Sequence, residues 1–238
     1  MAKKSTEQTR AERTAALLKE RQAAERRRQL TVIGGIVLLL VIIAAGGAYL
    51  MSRGDKVSNS SVPDSEYGLK VGPDTAPNKV VIYEDFICPI CGYFESQTSE
   101  KLATAAEAGK VQVEYRPIYL LQQFGDYSER AANAFRAVWV QNGEDAALKM
   151  HAALFADQPS EEGPYPDDDW LVEKAVSAGA DEAKIRPAIE NMEYQDWVTA
   201  ATDDASSVRG TPTVYINGKI LEAGTIDAVV AQLLTQIG

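Results

Sequence analysis

Residues 79–95 read KVVIYEDFICPICGYFE. The first half, Lys79 to Phe86, is β-branched and aromatic and predicts a strand. The chain then runs straight into Cys88-Pro89-Ile90-Cys91. Helix signals follow from Pro89 to about Ala108, with proline suited to a first helical turn. A C-x-x-C at a strand-to-helix junction has a specific physical meaning. The thiolate is the reactive form of cysteine, and a helix N-terminus stabilises it through unpaired N–H groups and the helix dipole. Cys88 is expected at the tip, within reach of another protein. Cys91, one turn along, is the natural resolving thiol, closing or opening the pair through a mixed disulfide at Cys88.

The rest of the body is consistent with a mixed α/β sheet. Val111 to Leu120 (VQVEYRPIYL) predicts a second strand from its Val and Tyr content. Its Pro117 either ends the regular pairing or marks an edge. From about Tyr127 to Asp204 the apolar spacing is helical: Ala131, Phe135, Val138 and Trp139 recur at that period, as do Ala147, Met150, His151 and Phe155. A break rich in Pro, Gly and acids covers Gln158 to Asp169. Helices are expected over Trp170 to Ala178 and Ala183 to Thr202. Thr211 to Ile216 predicts a strand, turning at Asn217-Gly218 into Lys219 to Glu222. Ile226 to Leu234 closes as an amphipathic helix. The order βαβ, helical insert, ββα predicts a mixed sheet flanked by helices, with a helical subdomain over about 127–204.

Two cysteines are too few to staple a scaffold, and a body of about 180 residues buries a core without staples. A bond between residues so close in sequence removes little entropy from the unfolded chain. Zinc usually takes four ligands; the two cysteines and His151, the single histidine, fall short unless a carboxylate completes the set. Redox exchange is therefore the favoured use of the pair, with no metal and no cofactor expected. A second element is Gly210-Thr211-Pro212-Thr213. A proline opening a strand cannot donate to the ladder, which suits a place where another chain or the cysteines lie alongside. A cis Thr211–Pro212 bond would serve this, although X-Pro bonds are mostly trans and the sequence alone does not assign it.

The N-terminal part reads differently. Residues 1–28 carry nine Lys/Arg and four Asp/Glu, a net +5; residues 29–52 carry no charge; the remainder is −15, giving −10 for the chain. An acidic body with few basic clusters argues against nucleic-acid binding. Leu30 to Leu50 (LTVIGGIVLLLVIIAAGGAYL) has about the 20 apolar residues that cross a bilayer as a helix. Arg26, Arg27 and Arg28 precede it directly, so the positive-inside rule places the N-terminus in the cytoplasm and the body on the far side. The expected organisation is a basic cytoplasmic segment over 1–29, a transmembrane helix over 30–51, a Ser- and Asn-rich linker over 52–66, and the folded domain over 67–238. A cleaved signal peptide is the rival, but the leading segment and the apolar run are both longer than signals usually have. A buried soluble helix fits an uncharged run of this length less well.

DFICPICGYFE (Asp85 to Glu95), a helical insert, and VRGTPTVYING (Val208 to Gly218), in that order, resemble a DsbA-like thioredoxin-fold oxidoreductase over roughly residues 66–238. The resemblance implies a thioredoxin-like sheet with an inserted helical subdomain. It also implies Cys88 as nucleophile, Cys91 as resolving cysteine and Pro212 as a cis-proline facing them. With the anchor and acidic body, the chain is similar to membrane-tethered forms of Gram-positive, especially actinobacterial, bacteria. Such proteins oxidise exported, reduced polypeptides. They are reoxidised by a quinone-linked membrane oxidase, of which a vitamin K epoxide reductase homologue is one candidate. Three positions depart from the pattern. Ile90 stands where strong oxidases have His, which implies a less acidic Cys88 and a milder oxidant. Ile82 occupies the place of a buried acid, with Glu84 two residues on and facing the same way. Glu84 either accepts the proton of Cys91 or is a partly solvated strand residue. Thr211 precedes the proline where strong oxidases more often have Val, and is similar in this to isomerases.

The remaining residues have plainer expectations. His151 is expected to be a packed helical residue away from any site, and Trp139, Trp170 and Trp197 to be core. Asp167-Asp168-Asp169 suit a helix N-cap better than a cation. Phe86, Ile87, Pro89 and Ile90 are expected as an apolar collar around Cys88 that holds unfolded segments by area. Within the same fold a reductase or isomerase is the alternative activity. A non-redox anchored chaperone is the alternative class.

Overall fold

The structure is a computed structural model that describes residues 65–238. The expected cytoplasmic segment, the span over 30–51 and nearly all of the linker lie outside the described residues. Among those described, no helix is long and apolar enough to cross a membrane.

The sheet begins with a strand the sequence did not announce, β1 (Leu69–Val71), too short to show a period. It is followed by β2 (Asn78–Glu84), helix α1 (Pro89–Glu107) and β3 (Val111–Pro117). After the helical insert come β4 (Thr213–Ile216), β5 (Lys219–Ile220) and a final helix over Ile226–Ile237. The strand order is β1-β3-β2-β4-β5. Only β2 and β3 run parallel, in the register Ile82 to Tyr115 and Glu84 to Pro117. The pairs β1/β3, β2/β4 and β4/β5 are antiparallel. This is a mixed thioredoxin-like sheet. Because β3 lies between β1 and β2, Pro117 is not at an edge: it ends the strand, as a residue without an N–H must.

Strand β2 is central and buried on both faces, which is why it reads as a nearly continuous apolar run. Its residues alternate. Val80 and Ile82 enter the main core, whereas Val81 and Tyr83 pack on the other face with Ile118, Val208 and Tyr215. By the same period, Glu84 is carried to the core side. Helix α1 buries Cys91, Phe94, Glu95, Thr98, Leu102, Ala105 and Ala106, one stripe at helical spacing. Two carboxylates, Glu84 and Glu95, therefore point into the interior beneath the cysteines.

The insert holds α2 (Tyr127–Asn142), α3 (Glu144–Ala156), α4 (Asp168–Ser177), α5 (Glu182–Glu190) and α6 (Gln195–Asp204); the closing helix is α7. As expected, Asp167 caps α4, accepting from the Trp170 N–H at 3.1 Å. The single helix anticipated over 183–202 is two, α5 and α6, parted by a turn in which Met192 has φ +50°. Trp139 and Trp197 are packed against the core, edge to face at 6.0 Å, with the Arg136 guanidinium over both rings.

Phe135 joins insert to sheet. It is fully buried on α2, and its ring lies 5.8 Å from Phe86 and 6.3 Å from His151. Phe135→Ala is expected to cost about 3–5 kcal/mol. Urea unfolding should show one transition moved to lower denaturant, because the cavity opens in the core that both halves share. Two separated transitions would show that insert and sheet do not share a core.

Candidate active site

The carboxyl ends of the parallel strands β2 and β3 meet the start of α1, and a short loop links β2 to that helix. Asp85, fully buried, organises the loop. Its carboxylate accepts from the Ile87 N–H at 3.0 Å, the Leu121 N–H at 2.9 Å and the Ser128 hydroxyl at 2.5 Å. Burial pushes the Asp85 carboxyl up, and these donors hold it back. The Cys88 N–H donates to the Asp85 carbonyl at 3.0 Å. From α3's far end, Gln158 donates one amide nitrogen to the carbonyls of Phe86 (3.0 Å) and Cys88 (2.9 Å). Gly92 leaves room for this: a Cβ there would come 2.3 Å from the Gln158 Oε1.

Cys88 is the N-cap of α1, with extended backbone (φ −69°, ψ 115°), and Pro89 opens the helix. Both cysteines are free thiols. Cys88 is only 5% exposed and Cys91 1%, so Cys88 is more sheltered than a residue at a tip. Its Sγ lies 3.2 Å from the Thr211 carbonyl, and the Thr211–Pro212 bond is cis. The structure thus brings Cys88, Cys91, Pro89, Ile90, Thr211 and Pro212 together.

The two sulfurs have opposite electrostatics. The Cys91 thiol donates to Cys88, and with the N–H groups of Cys91 and Ile90 it outweighs burial. The Cys88 thiol is pulled down to about 6. Cys91 is raised well above the ordinary thiol range by burial, by its hydrogen bond and charge interaction with Cys88, and by the charge of Glu84. A thiolate beside a proton-holding thiol is the state from which dithiol–disulfide exchange starts. The acidity of Cys88 arises without a histidine at position 90: the neighbouring thiol and backbone N–H groups supply it.

Two expectations are corrected. Phe86 and Ile87 do not form a collar; at 0% and 1% exposure they belong to the core. Phe86 packs on Phe135 and Phe155, so it supports the loop from beneath. The apolar rim near Cys88 is Ile90, half exposed, facing a groove of about 510 Å³ lined by Val208, Thr211, Pro212, Ile226 and Val229. His151 is a packed helical residue, but not one remote from the site. Its Nε2 lies 2.6 Å from the Glu84 Oε1, with both side chains buried. Glu84 is therefore not a partly solvated strand residue. Burial opposes charge on His151, but the carboxylate of Glu84, its hydrogen bond and Glu95 outweigh this and hold the imidazole above its ordinary value. Burial, resisted by His151 and reinforced by Glu84, pushes Glu95 up to about 7. Tyr115, Phe86, Phe135 and Phe155 enclose the imidazole.

A family model described as Thioredoxin matches residues 64–234. The chain belongs to the thioredoxin family. Within it the chain is a DsbA-like protein thiol–disulfide oxidoreductase of the actinobacterial type. "Disulfide bond formation protein D" of Bacillus subtilis is 28% identical over 160 residues, 64% of this chain and 68% of that protein. The oxidised DsbA of Mycobacterium tuberculosis is 33% identical, with a TM-score of 0.59 over 72% of this chain and 93% of that one. The reduced disulfide bond oxidoreductase DsbG of the same organism is 32% identical, with a TM-score of 0.61 over 72% and 88%.

Several residues of the oxidoreductase's site were missed in sequence. Asp85 and Gln158 act on the loop from positions with no periodic signature. Glu95 did carry a signal: it stands four residues after Cys91, on the same helix face.

The asymmetry of the two sulfurs is directly measurable. Iodoacetamide should alkylate the reduced oxidoreductase at Cys88 with a pH midpoint about 6, and leave Cys91 unmodified until the chain unfolds. Cys88 is depressed in the folded state, so the reduced form should gain stability as pH rises from about 6 towards the unfolded thiol's range, about 8.5. A midpoint above 8 would contradict the arrangement of donors.

Proposed function

We propose that the protein forms disulfides in exported proteins through Cys88 and Cys91, held at the outer face of the cell membrane by its N-terminal helix. The observation that carries this is the opposed acidity of the two sulfurs. In the oxidised enzyme a substrate thiolate attacks the Cys88 sulfur; the Cys88–Cys91 bond breaks and the pair of electrons goes to Cys91, which takes a proton. A second substrate thiolate then attacks the substrate sulfur of the mixed disulfide and expels Cys88. A thiol held at about 6 is a good leaving group, because exchange is faster when the departing sulfur is more acidic. The substrate leaves oxidised by two electrons and the pair is left as thiolate and thiol. Stabilising that reduced state makes the disulfide the more oxidising form.

Glu84 accepts the proton that Cys91 gives up when the disulfide is re-formed, because its charge already bears on the Cys91 thiol. Thr211 and Pro212 flank the bound substrate, with Ile90 and the groove holding unfolded segments by area. A quinone-linked membrane oxidase, such as a vitamin K epoxide reductase homologue, accepts the two electrons and restores the disulfide. The similarity to disulfide bond formation protein D of Bacillus subtilis supports this reading.

The equilibrium potential of the pair in a glutathione buffer tests the direction. An oxidant should lie well above about −270 mV, the level of a cytosolic reductant; a value below about −300 mV would mark an inert structural bond and end the proposal. Cys88→Ser should abolish insulin reduction and refolding of a reduced substrate, and Cys91→Ser should accumulate mixed disulfides. Retained cellular function in the double variant would instead favour a chaperone.

The location has its own test. The full chain should sediment with membranes, and external protease on intact protoplasts should remove the domain while leaving a small anchored fragment. A protected domain would reverse the orientation.

A further inference from the structure

We propose that Glu84, Glu95 and His151 form a binding site for one divalent transition-metal ion of the Zn²⁺ class, entered through the cavity between α1 and α3. This goes beyond disulfide exchange, and neither cysteine belongs to the site.

The three donors come from three elements: the end of β2, the second turn of α1 and the middle of α3. One ligand atom from each lies within 4.8 Å of the other two. Ligands sharing one ion at about 2.0–2.2 Å stand roughly 3–3.5 Å apart, so small side-chain adjustments close the set. All three residues are buried, at 1%, 5% and 2% exposure. The Glu84–His151 hydrogen bond uses one carboxylate oxygen. Glu84 Oε2 and Glu95 Oε1 are buried and accept nothing. Buried carboxylate oxygens without partners are costly and rare, and an ion is one of the few things that resolves them.

Charge points the same way. Once their protons are released on binding, two carboxylates and an imidazole balance the charge of a divalent cation, in a pocket whose walls include the rings of Phe86, Tyr115, Phe135 and Phe155 around His151. The donor set selects among metals. Imidazole with carboxylates suits Zn²⁺ and its first-row neighbours, whereas Ca²⁺ and Mg²⁺ prefer oxygen alone. Three protein ligands leave positions open for water. Access exists: Glu95 and His151 line a cavity of about 550 Å³ together with Leu102, Leu148 and Phe155.

The test uses the full chain in detergent with Cys88→Ser and Cys91→Ser, so that thiolates cannot take the metal. Titrated Zn²⁺ should bind at one equivalent and raise the melting temperature. Glu95→Gln, nearly isosteric, should weaken binding at least about tenfold while keeping the native circular dichroism. A second readout needs no substitution of a ligand. His151 is the sole histidine, so in the untagged chain one equivalent of Co²⁺ should shift the single set of imidazole ring signals. Unmoved His151 signals, or Zn²⁺ binding that Glu95→Gln leaves unchanged, would overturn the proposal. Failure here leaves the disulfide-exchange function untouched, since that rests on potentials and on the two cysteines, which the tested variant lacks.

Discussion

A sulfur taken out of water holds a negative charge only where donors outweigh the cost of burial. At Cys88 burial is nearly complete, and its thiol is still pulled down to about 6. The donors are local: the Cys91 thiol and the N–H groups of Cys91 and Ile90 at the open start of α1. Much of the surrounding structure fixes those few atoms. Pro89 sets the first turn without consuming a donor, Asp85 ties the incoming loop to Leu121 and Ser128, and Gln158 clamps its carbonyls. The helical insert thus reaches the chemistry through Ser128 and Gln158, which is a physical reason for it to be spliced into this fold.

The second cysteine shows how steep the environment is. Cys91 lies one helical turn from Cys88, yet its thiol moves in the opposite direction, because burial and then its hydrogen bond and charge interaction with Cys88 disfavour its thiolate, with Glu84 adding to them. The pair is thereby divided into a more acidic sulfur and one that holds its proton. That division needs no residue of special reactivity between the cysteines, and Ile90 is free to serve as exposed apolar surface.

Much of this was legible in the sequence, because strands and helices write their periods into it. The run from Lys79, the C-x-x-C, the Asn217-Gly218 turn and the helical insert follow from spacing and turn chemistry. β1 was not legible: three residues carry no period, and the strand exists because the exposed side of β3 has unpaired backbone groups for it to meet. The break at Asn191–Tyr194 was hidden because no proline or glycine marks it, only Met192 in a left-handed conformation. At the site, the cysteines and Thr211-Pro212 were plain. His151 and Phe86 were misjudged for a shared reason. Their roles depend on which elements pack together across 67 residues of sequence, and local pattern is silent on that.

The placement of Glu84 explains why a buried acid survives here after Ile82 has taken the place it often holds. A strand repeats its facing every two residues, so moving the acid from 82 to 84 keeps it on the core side and brings it one step nearer to α1. There it meets His151, which α3 delivers from the insert, at 2.6 Å. Apolar residues of equal volume are often as stable as a buried ion pair, or more so, and Glu95 adds a second carboxylate that its helix face did not require. A core filled for stability alone would carry Leu or Ile at these positions, as it does at Ile82 and Leu102. The three polar side chains are therefore best understood through charge: Glu84 disfavours the thiolate of Cys91, and together with Glu95 and His151 it forms a buried anionic cluster among the described residues.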